Sequence, residues 1–229
     1  MARRAFFALA ALCCLLATAA EAASPTDTLR ATFAEANQII SDPATEDRPL
    51  DRLVSIRALF SRVFDFRGAA ERVLGPEWKA RTPVEQREFT AVFANFVERG
   101  FVYWLASVAE VDSDGGGITV LYLGEATNRD RAAVRTVLVG RGGRQIRLDH
   151  EMVLLANRWL VRDIRIEGVS LLTNYRAQFE RVIRASSYRE LVARMQERAA
   201  AELPRPAAAP VEPPLGAELK VPLYLFETR

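Results

Sequence analysis

The sequence predicts an α+β fold, in which an antiparallel sheet of four strands is covered by helices from both ends of the chain. Apolar residues recur with helical spacing over 24–110 and 170–200, and with a period of two over 118–167. The links between the predicted strands are short. Short links favour antiparallel neighbours, because a parallel neighbour needs a crossover of about a dozen residues or more. Helices, then sheet, then helices is an α+β order.

The first 23 residues have the features of a secretory signal peptide. Arg3 and Arg4 precede an apolar run that is shorter than the roughly 20 residues needed to cross a bilayer, and small residues follow it. We expect residues 1–23 to be removed by cleavage after Ala22 or Ala23. The arginine pair leaves export by the twin-arginine route open as an alternative to plain secretion.

Composition excludes several classes of function. Both cysteines, Cys13 and Cys14, lie in the predicted signal peptide, so the exported chain has no thiol and must be stabilised by packing. The full chain has 31 Lys and Arg against 29 Asp and Glu. Without a basic surface, neither nucleic-acid binding nor strong electrostatic adsorption to an anionic membrane is supported.

The N-terminal half predicts a series of helices. The first begins at Ser24, a good N-cap followed by a proline in the first turn. A second is expected over 50–60, and a third over 65–74, before Gly75 and Pro76.

A long helix is expected to begin at the capping box Thr82-Pro83-Val84-Glu85. Its apolar stripe consists of Phe89, Val92, Phe93, Phe96, Val97 and Trp104.

The predicted strands are followed by two more helices and a tail. The strands are expected at about 118–123, 132–139, 146–155 and 158–167. The helices are expected at 170–184 and 187–200. Residues 203–229 form a tail that begins rich in proline and alanine and cannot continue a regular helix.

The exported chain offers little for catalysis. It has one histidine and no cysteine, and none of the common zinc, serine-hydrolase or phosphate-loop motifs. His150 alternates with Ile146, Leu148 and Met152, so we expect it on the apolar face of its strand. It is interpreted first as a neutral core histidine, and second as a polar contact to a ligand headgroup.

Asp163 is a second polar residue among apolar neighbours. The period of two places it on the side of Trp159 and Val161. We expect it to pair with a nearby arginine such as Arg165 or Arg135.

Several blocks resemble one protein family. Residues 159–179, WLVRDIRIEGVSLLTNYRAQF, closely resemble the signature W-x-V-x-D-V-x-I-x-G-V-S-L-x-x-N-Y-R-x-Q-F of the MlaC/toluene-tolerance family. Further matches occur at 74–78, LGPEW, and 82–89, TPVEQREF, and the resemblance covers about 25–200. Members of this family are periplasmic auxiliary proteins of phospholipid ABC transport systems.

The resemblance implies a fold and a function. It implies an NTF2-like antiparallel sheet covered by helices around an apolar cavity, within one domain at 24–202. It also implies a soluble periplasmic lipid carrier, not an enzyme, that needs no cofactor and shuttles phospholipid between two partners. These partners are an inner-membrane ABC transporter with its MCE-type component and an outer-membrane lipoprotein/porin complex. The residues expected to line the cavity are Phe89, Phe93, Phe96, Trp104, Ile146, His150, Ile164, Ile166, Val169 and Leu172.

Three alternatives stay open at the level of sequence. Residues 56–60 and 120–125 also resemble the hopanoid-associated branch of the family, so a hopanoid is an alternative ligand. An NTF2-like enzyme acting on an apolar substrate, with His150 or Asp163 as base, belongs to another functional class. A purely structural module with a filled core is the third.

Overall fold

A computed structural model of the chain describes residues 23–45, 47–109, 119–140, 143 and 145–200, with the backbone alone at Pro49 and 101–109. The predictions for the signal peptide at 1–22 and the tail at 203–229 lie outside the described residues. None of the described helices is long and apolar enough to cross a membrane.

Helices lie on both sides of the sheet in the sequence, as predicted. Those before the sheet are α1 (Pro25–Ile40), α2 (Pro49–Val63), α3 (Phe66–Leu74), α4 (Pro76–Lys79) and α5 (Pro83–Ala109). Those after it are α6 (Leu171–Ala185) and α7 (Tyr188–Ala200).

The sheet is antiparallel, and its strands lie side by side in chain order. They are β1 (Thr119–Asn128), β2 (Arg131–Val139), β3 (Gln145–Leu155), β4 (Arg158–Ile166) and β5 (Val169–Ser170). The predicted α+β class is confirmed, but within the described residues the sheet has five strands where four were predicted. The fifth has only two residues, formed where the chain reverses at Glu167 and Gly168, and a strand that short shows no periodicity.

Side-chain caps fix where the helices begin. Ser24 Oγ accepts a hydrogen bond from the Asp27 amide at 3.0 Å. At the start of α5, the Thr82 amide donates to Glu85 Oε2 at 2.7 Å, and the Glu85 amide donates to Thr82 Oγ1 at 3.3 Å. This reciprocal pair is the predicted capping box.

A β-bulge at Arg162 changes which residues of β4 share a face. Val161 lies opposite Met152, whereas Ile164 lies opposite His150. Residues directly opposite in a ladder project to the same side. Val161 and Ile164 therefore face the same side of the sheet, although they are three residues apart.

The bulge also makes the predicted orientation of Asp163 wrong. Asp163 lies opposite Glu151, so it projects from the face opposite to that of His150. The sequence placed it on the side of Trp159 and Val161. One extra residue in the strand breaks the period of two, and nothing in the local composition predicts this extra residue.

The helices form two groups. The α1–α2 hairpin, residues 25–63, contacts β1, β2 and β4, on the side where Phe33 meets His150. The helices α3, α5, α6 and α7 pack against one another. The hairpin is therefore the element that covers the His150 face of the sheet.

Candidate functional site

A small, partly enclosed cavity of about 60 Å³ lies between the α1–α2 hairpin and the sheet. Its surface is formed entirely by apolar atoms. The wall consists of Thr32, Phe33, Ala36, Ile56, Leu59, Phe60, Val63, His150, Val161 and Ile164.

Helical and strand periodicity bring this wall together. The contribution of α2, Ile56, Leu59, Phe60 and Val63, follows the spacing of one helix face. On α1, the small side chain of Ala36 leaves space where a larger residue would fill it. On the sheet side, the bulge in β4 turns two apolar residues towards the same cavity.

Among the described residues of the cavity wall, His150 is the only titratable one. Its Nε2 lies 3.0 Å from Thr136 Oγ1 on β2, and the ring of Phe33 packs edge-on against it with centroids 6.1 Å apart. Burial lowers the pKa of His150 from 6.5 to about 4, because the charged imidazolium would lose its hydration. The ring is therefore neutral at pH 7.

The lowered pKa of His150 predicts a pH dependence of stability. Between pH 6.5 and about 4, His150 is protonated in the unfolded chain but stays neutral in the folded protein. Above pH 6.5 the free energy of unfolding therefore includes the full contribution of the neutral buried ring. This contribution is lost as the pH falls, at up to about 1.4 kcal/mol per pH unit. The measurement is urea unfolding between pH 4 and 7 of the wild type and His150→Phe.

The difference in unfolding free energy between these two proteins isolates the histidine. Other groups, including Asp163 with its raised pKa, are present in both and largely cancel. A difference that does not change with pH would contradict the buried, neutral state of His150.

Two of the ten residues predicted to line a cavity, His150 and Ile164, meet in the wall of this one. Ile146 and Ile166 are buried on the same face of the sheet, opposite Leu138 and Leu148 respectively. Five of the other six lie elsewhere.

Three of those six form an aromatic cluster with α6. Phe89, Phe93 and Phe96 pack against Tyr175 and Phe179, with ring centroids between 5.6 and 6.4 Å apart. All five rings are buried. In this arrangement the aromatic stripe of α5 joins helix to helix.

Two of the last three lie where the sheet meets α6. Leu172 is buried at the start of α6, whereas Val169 on β5 is 46% exposed. The side chain of Trp104 lies outside the described residues. A role in lipid binding stays a prediction for all ten.

A second, larger depression is an open groove of about 670 Å³ between α4, α5, α6 and α7. It differs from the cavity in its charge, because five of its ten described wall residues have charged side chains that favour water. An acyl chain bound in the smaller, wholly apolar cavity would not displace water from charged side chains. The charged residues of the groove are Glu77, Arg81, Glu85, Glu88 and Arg189.

Asp163 is fully buried and holds the start of α6. It accepts hydrogen bonds from Ser170 Oγ at 2.5 Å and from the Leu172 amide at 3.2 Å. Burial raises the pKa of Asp163, against these two hydrogen bonds and the charge of Arg72, which lower it. The ion-pair partner is Arg72 of α3, 3.9 Å away, so the predicted pairing with Arg165 or Arg135 is wrong.

The geometry does not support an acid–base pair formed by His150 and Asp163. His150 and Asp163 project from opposite faces of the sheet, so they cannot share a proton across one pocket. Within the described residues, no group of three or more His, Cys, Asp or Glu side chains could hold a metal ion.

Sequence reasoning missed a polar tie between the hairpin and α5. Glu98 is buried in α5 and accepts hydrogen bonds from Ser61 Oγ and from Arg57 Nη2, the latter at 3.3 Å. Arg57 also donates to Asn95 Oδ1 at 2.7 Å. In the sequence these residues have the pattern of ordinary polar groups on a helix surface. Only the packing of α2 on α5 shows their role.

Comparison with known proteins gives a family and a fold. The family model described as MlaC protein matches residues 30–197. No curated protein matches the sequence significantly. Among solved structures, the phospholipid-binding protein from Ralstonia solanacearum, solved in complex with a phospholipid, has a similar fold with a TM-score of 0.66. The match covers 78% of this chain and 98% of that one at 22% identity.

Proposed function

The chain belongs to the MlaC family, and on this basis we propose that it is a periplasmic carrier of phospholipid. The acyl chains occupy the space between the α1–α2 hairpin and the sheet, and no bond is made or broken. The observation that carries the proposal is the wholly apolar cavity at that place, in a fold shared with a phospholipid-binding protein.

The physics of acyl chains supports this assignment. Each methylene removed from water contributes about 0.8 kcal/mol, so an apolar wall without a charged group is what an acyl chain requires. His150, the single titratable residue in the part of the wall that the structure describes, is neutral at pH 7 and adds no charge.

The cavity must enlarge before it can hold a lipid. Ligand pockets have volumes of about 300–1,000 Å³, far above the 60 Å³ between hairpin and sheet. The space can grow if the hairpin moves away from the sheet. Polar contacts hold the hairpin in place, from Thr26 to Glu125 of β1 and from Arg57 and Ser61 to Glu98.

Release needs help from a partner. Two long acyl chains buried at about 0.8 kcal/mol per methylene would be bound too tightly for a shuttle. We therefore propose that docking on a partner draws the hairpin away from the sheet and thereby releases the lipid. The partners in this proposal are an inner-membrane ABC transporter with its MCE-type component and an outer-membrane lipoprotein/porin complex.

The proposal is tested by recovering the protein from the periplasm without detergent. Native mass spectrometry is expected to show bound lipid, and extraction should identify it as phospholipid. Hopanoid in the extract would redirect the assignment to a polycyclic lipid. Protein that is free of lipid, and takes none up from phospholipid vesicles, would contradict a carrier of either kind.

A further inference from the structure

One residue of the cavity wall, His150, has a buried polar atom without a partner. His150 is 3% exposed, and its Nδ1 makes no hydrogen bond with any part of the chain that the structure describes. An unsatisfied buried polar group costs about 1–3 kcal/mol, and an apolar ring at this place would avoid the cost. In the closed state the cavity surface is apolar and Nδ1 is covered, so a ligand can supply the missing partner only after the hairpin has moved.

The hydrogen bonds around the ring indicate which kind of partner is missing. Thr136 Oγ1 lies 3.0 Å from Nε2 of His150 and 3.4 Å from the Leu148 carbonyl oxygen. If Nε2–H of His150 donates to Thr136 Oγ1 and the Thr136 hydroxyl donates to the Leu148 carbonyl oxygen, the ring proton and the hydroxyl proton both take part in hydrogen bonds. In the protein without ligand, the opposite tautomer would leave a buried N–H without an acceptor, which is rare in folded proteins. Nδ1 is therefore a free acceptor.

No other group among the described wall residues competes for this role. The remaining polar residue, Thr32, donates its hydroxyl to the Thr28 carbonyl oxygen at 2.8 Å. His150 lies in the middle of the sheet, between β2 and β4. Phe33 of the hairpin packs against the ring, so the hairpin movement that admits a ligand also removes this cover.

We propose that the cavity selects lipids that carry a hydroxyl group on their buried, otherwise apolar part, with Nδ1 of His150 accepting the hydrogen bond. This inference rests on the proposed function and narrows it. An unsubstituted acyl chain leaves Nδ1 unpaired. The hydroxyl can belong to a hydroxylated acyl chain or to a polycyclic alcohol, since both present a donor on an apolar body.

The experiment compares ligands that differ only in the hydroxyl. Delipidated protein is titrated with stearic acid and with hydroxystearic acids that differ in hydroxyl position. A second arm compares cholestanol with its hydrocarbon, cholestane. Competition with a fluorescent fatty acid reports affinity. We expect a preference of about fivefold to tenfold for the hydroxylated member of at least one arm, because one net hydrogen bond is worth about that factor. The arm that shows the preference identifies whether the hydroxyl belongs to an acyl chain or to a polycyclic lipid.

Variants assign the preference to one atom. His150→Phe keeps a flat ring but removes the acceptor, so the ratio of the two affinities should fall to about one. Ile164→Val is the matched control, because it trims the wall beside His150 without touching its hydrogen bonds. It should change both affinities by a similar factor and keep the ratio. Thermal unfolding without ligand checks that both variants fold.

The outcomes separate this inference from the function on which it rests. Equal affinities for hydroxylated and unsubstituted ligands in both arms, or a preference that survives in His150→Phe, would overturn the hydroxyl inference alone. Binding of no ligand in either arm would also overturn the hydroxyl inference, and a further failure to take up phospholipid from vesicles would contradict the carrier function as well.

Discussion

Replacing Ala36 with leucine is expected to remove most of the lipid that the protein carries while leaving the empty protein at least as stable. Ala36 of α1 is 7% exposed and its side chain forms part of the cavity wall. Leucine adds three apolar carbons at the place that an acyl chain would occupy. We expect at least a tenfold loss of lipid per chain, measured by native mass spectrometry after incubation with phospholipid vesicles.

The stability of the empty protein should move in the other direction. Added carbons that fill an existing cavity contribute about 0.8 kcal/mol per buried methylene, and any overpacking opposes this by about 1–3 kcal/mol. The unfolding temperature should therefore stay the same or rise by a few degrees. A mutation that merely damaged the fold would lower both lipid content and unfolding temperature.

Ala34→Leu is the matched control for this experiment. It makes the same substitution two residues away, on the exposed side of the same helix. It should leave the lipid content as in the wild type. If Ala36→Leu carried as much lipid as Ala34→Leu, the acyl chains would not occupy the cavity under the hairpin.

Replacing Asp65 with alanine is expected to give the largest loss of stability, about 3–5 kcal/mol. Asp65 is 7% exposed and accepts hydrogen bonds from Arg162 Nε at 2.7 Å and Nη2 at 2.5 Å. It also caps α3 by accepting from the Gly68 amide at 3.0 Å. Removing one partner of a buried ion pair leaves the other charge uncompensated, which is the costly way to break it.

The arrangement around Asp65 explains why one residue has this effect. Arg162 is the bulged residue of β4, and the Asp65 amide donates to the Val161 carbonyl oxygen at 2.8 Å. The pair therefore ties the junction of α2 and α3 to the bulge. A Cβ at Gly68 would collide with the Asp65 carboxylate, so this approach requires glycine.

Urea unfolding measures the effect of Asp65→Ala. Asp51→Ala is the control, because Asp51 forms an exposed ion pair with Arg48 at 3.1 Å and should change the unfolding free energy by less than about 1 kcal/mol. Adding Arg162→Met to Asp65→Ala should recover part of the loss, since the stranded charge is then removed. A loss for Asp65→Ala no greater than that for Asp51→Ala would contradict a structural role for the pair.

The order of elements could be predicted from the sequence because it is encoded locally. The capping box at Thr82 and the N-caps at Ser24 and Ser170 place helix starts by contacts within four residues. The two-residue turn at Ala156 and Asn157, both with positive φ, fixes the β3–β4 hairpin in the same local way.

The candidate site could be predicted only in part, because a periodic pattern shows that a face is buried but not what it is buried against. Phe89 and Ile164 both belong to apolar stripes, yet the first packs on α6 and the second faces the α1–α2 hairpin. Ala36 and Leu59 were missed for the same reason. His150 could be found, because a titratable residue in an apolar period of two is conspicuous in sequence.

The most direct test of the carrier account locates the acyl chain inside the folded protein. Protein with isotope-labelled Ile, Leu and Met methyl groups is loaded with a phospholipid that has a nitroxide near the end of one acyl chain. We expect the methyl signals of Ile56, Leu59 and Ile164 to broaden, and those of Leu191 and Met195 in α7 to stay sharp. Broadening confined to Ile183 and α7 beside the charged groove, with sharp signals at Ile56 and Ile164, would contradict lipid carriage under the α1–α2 hairpin.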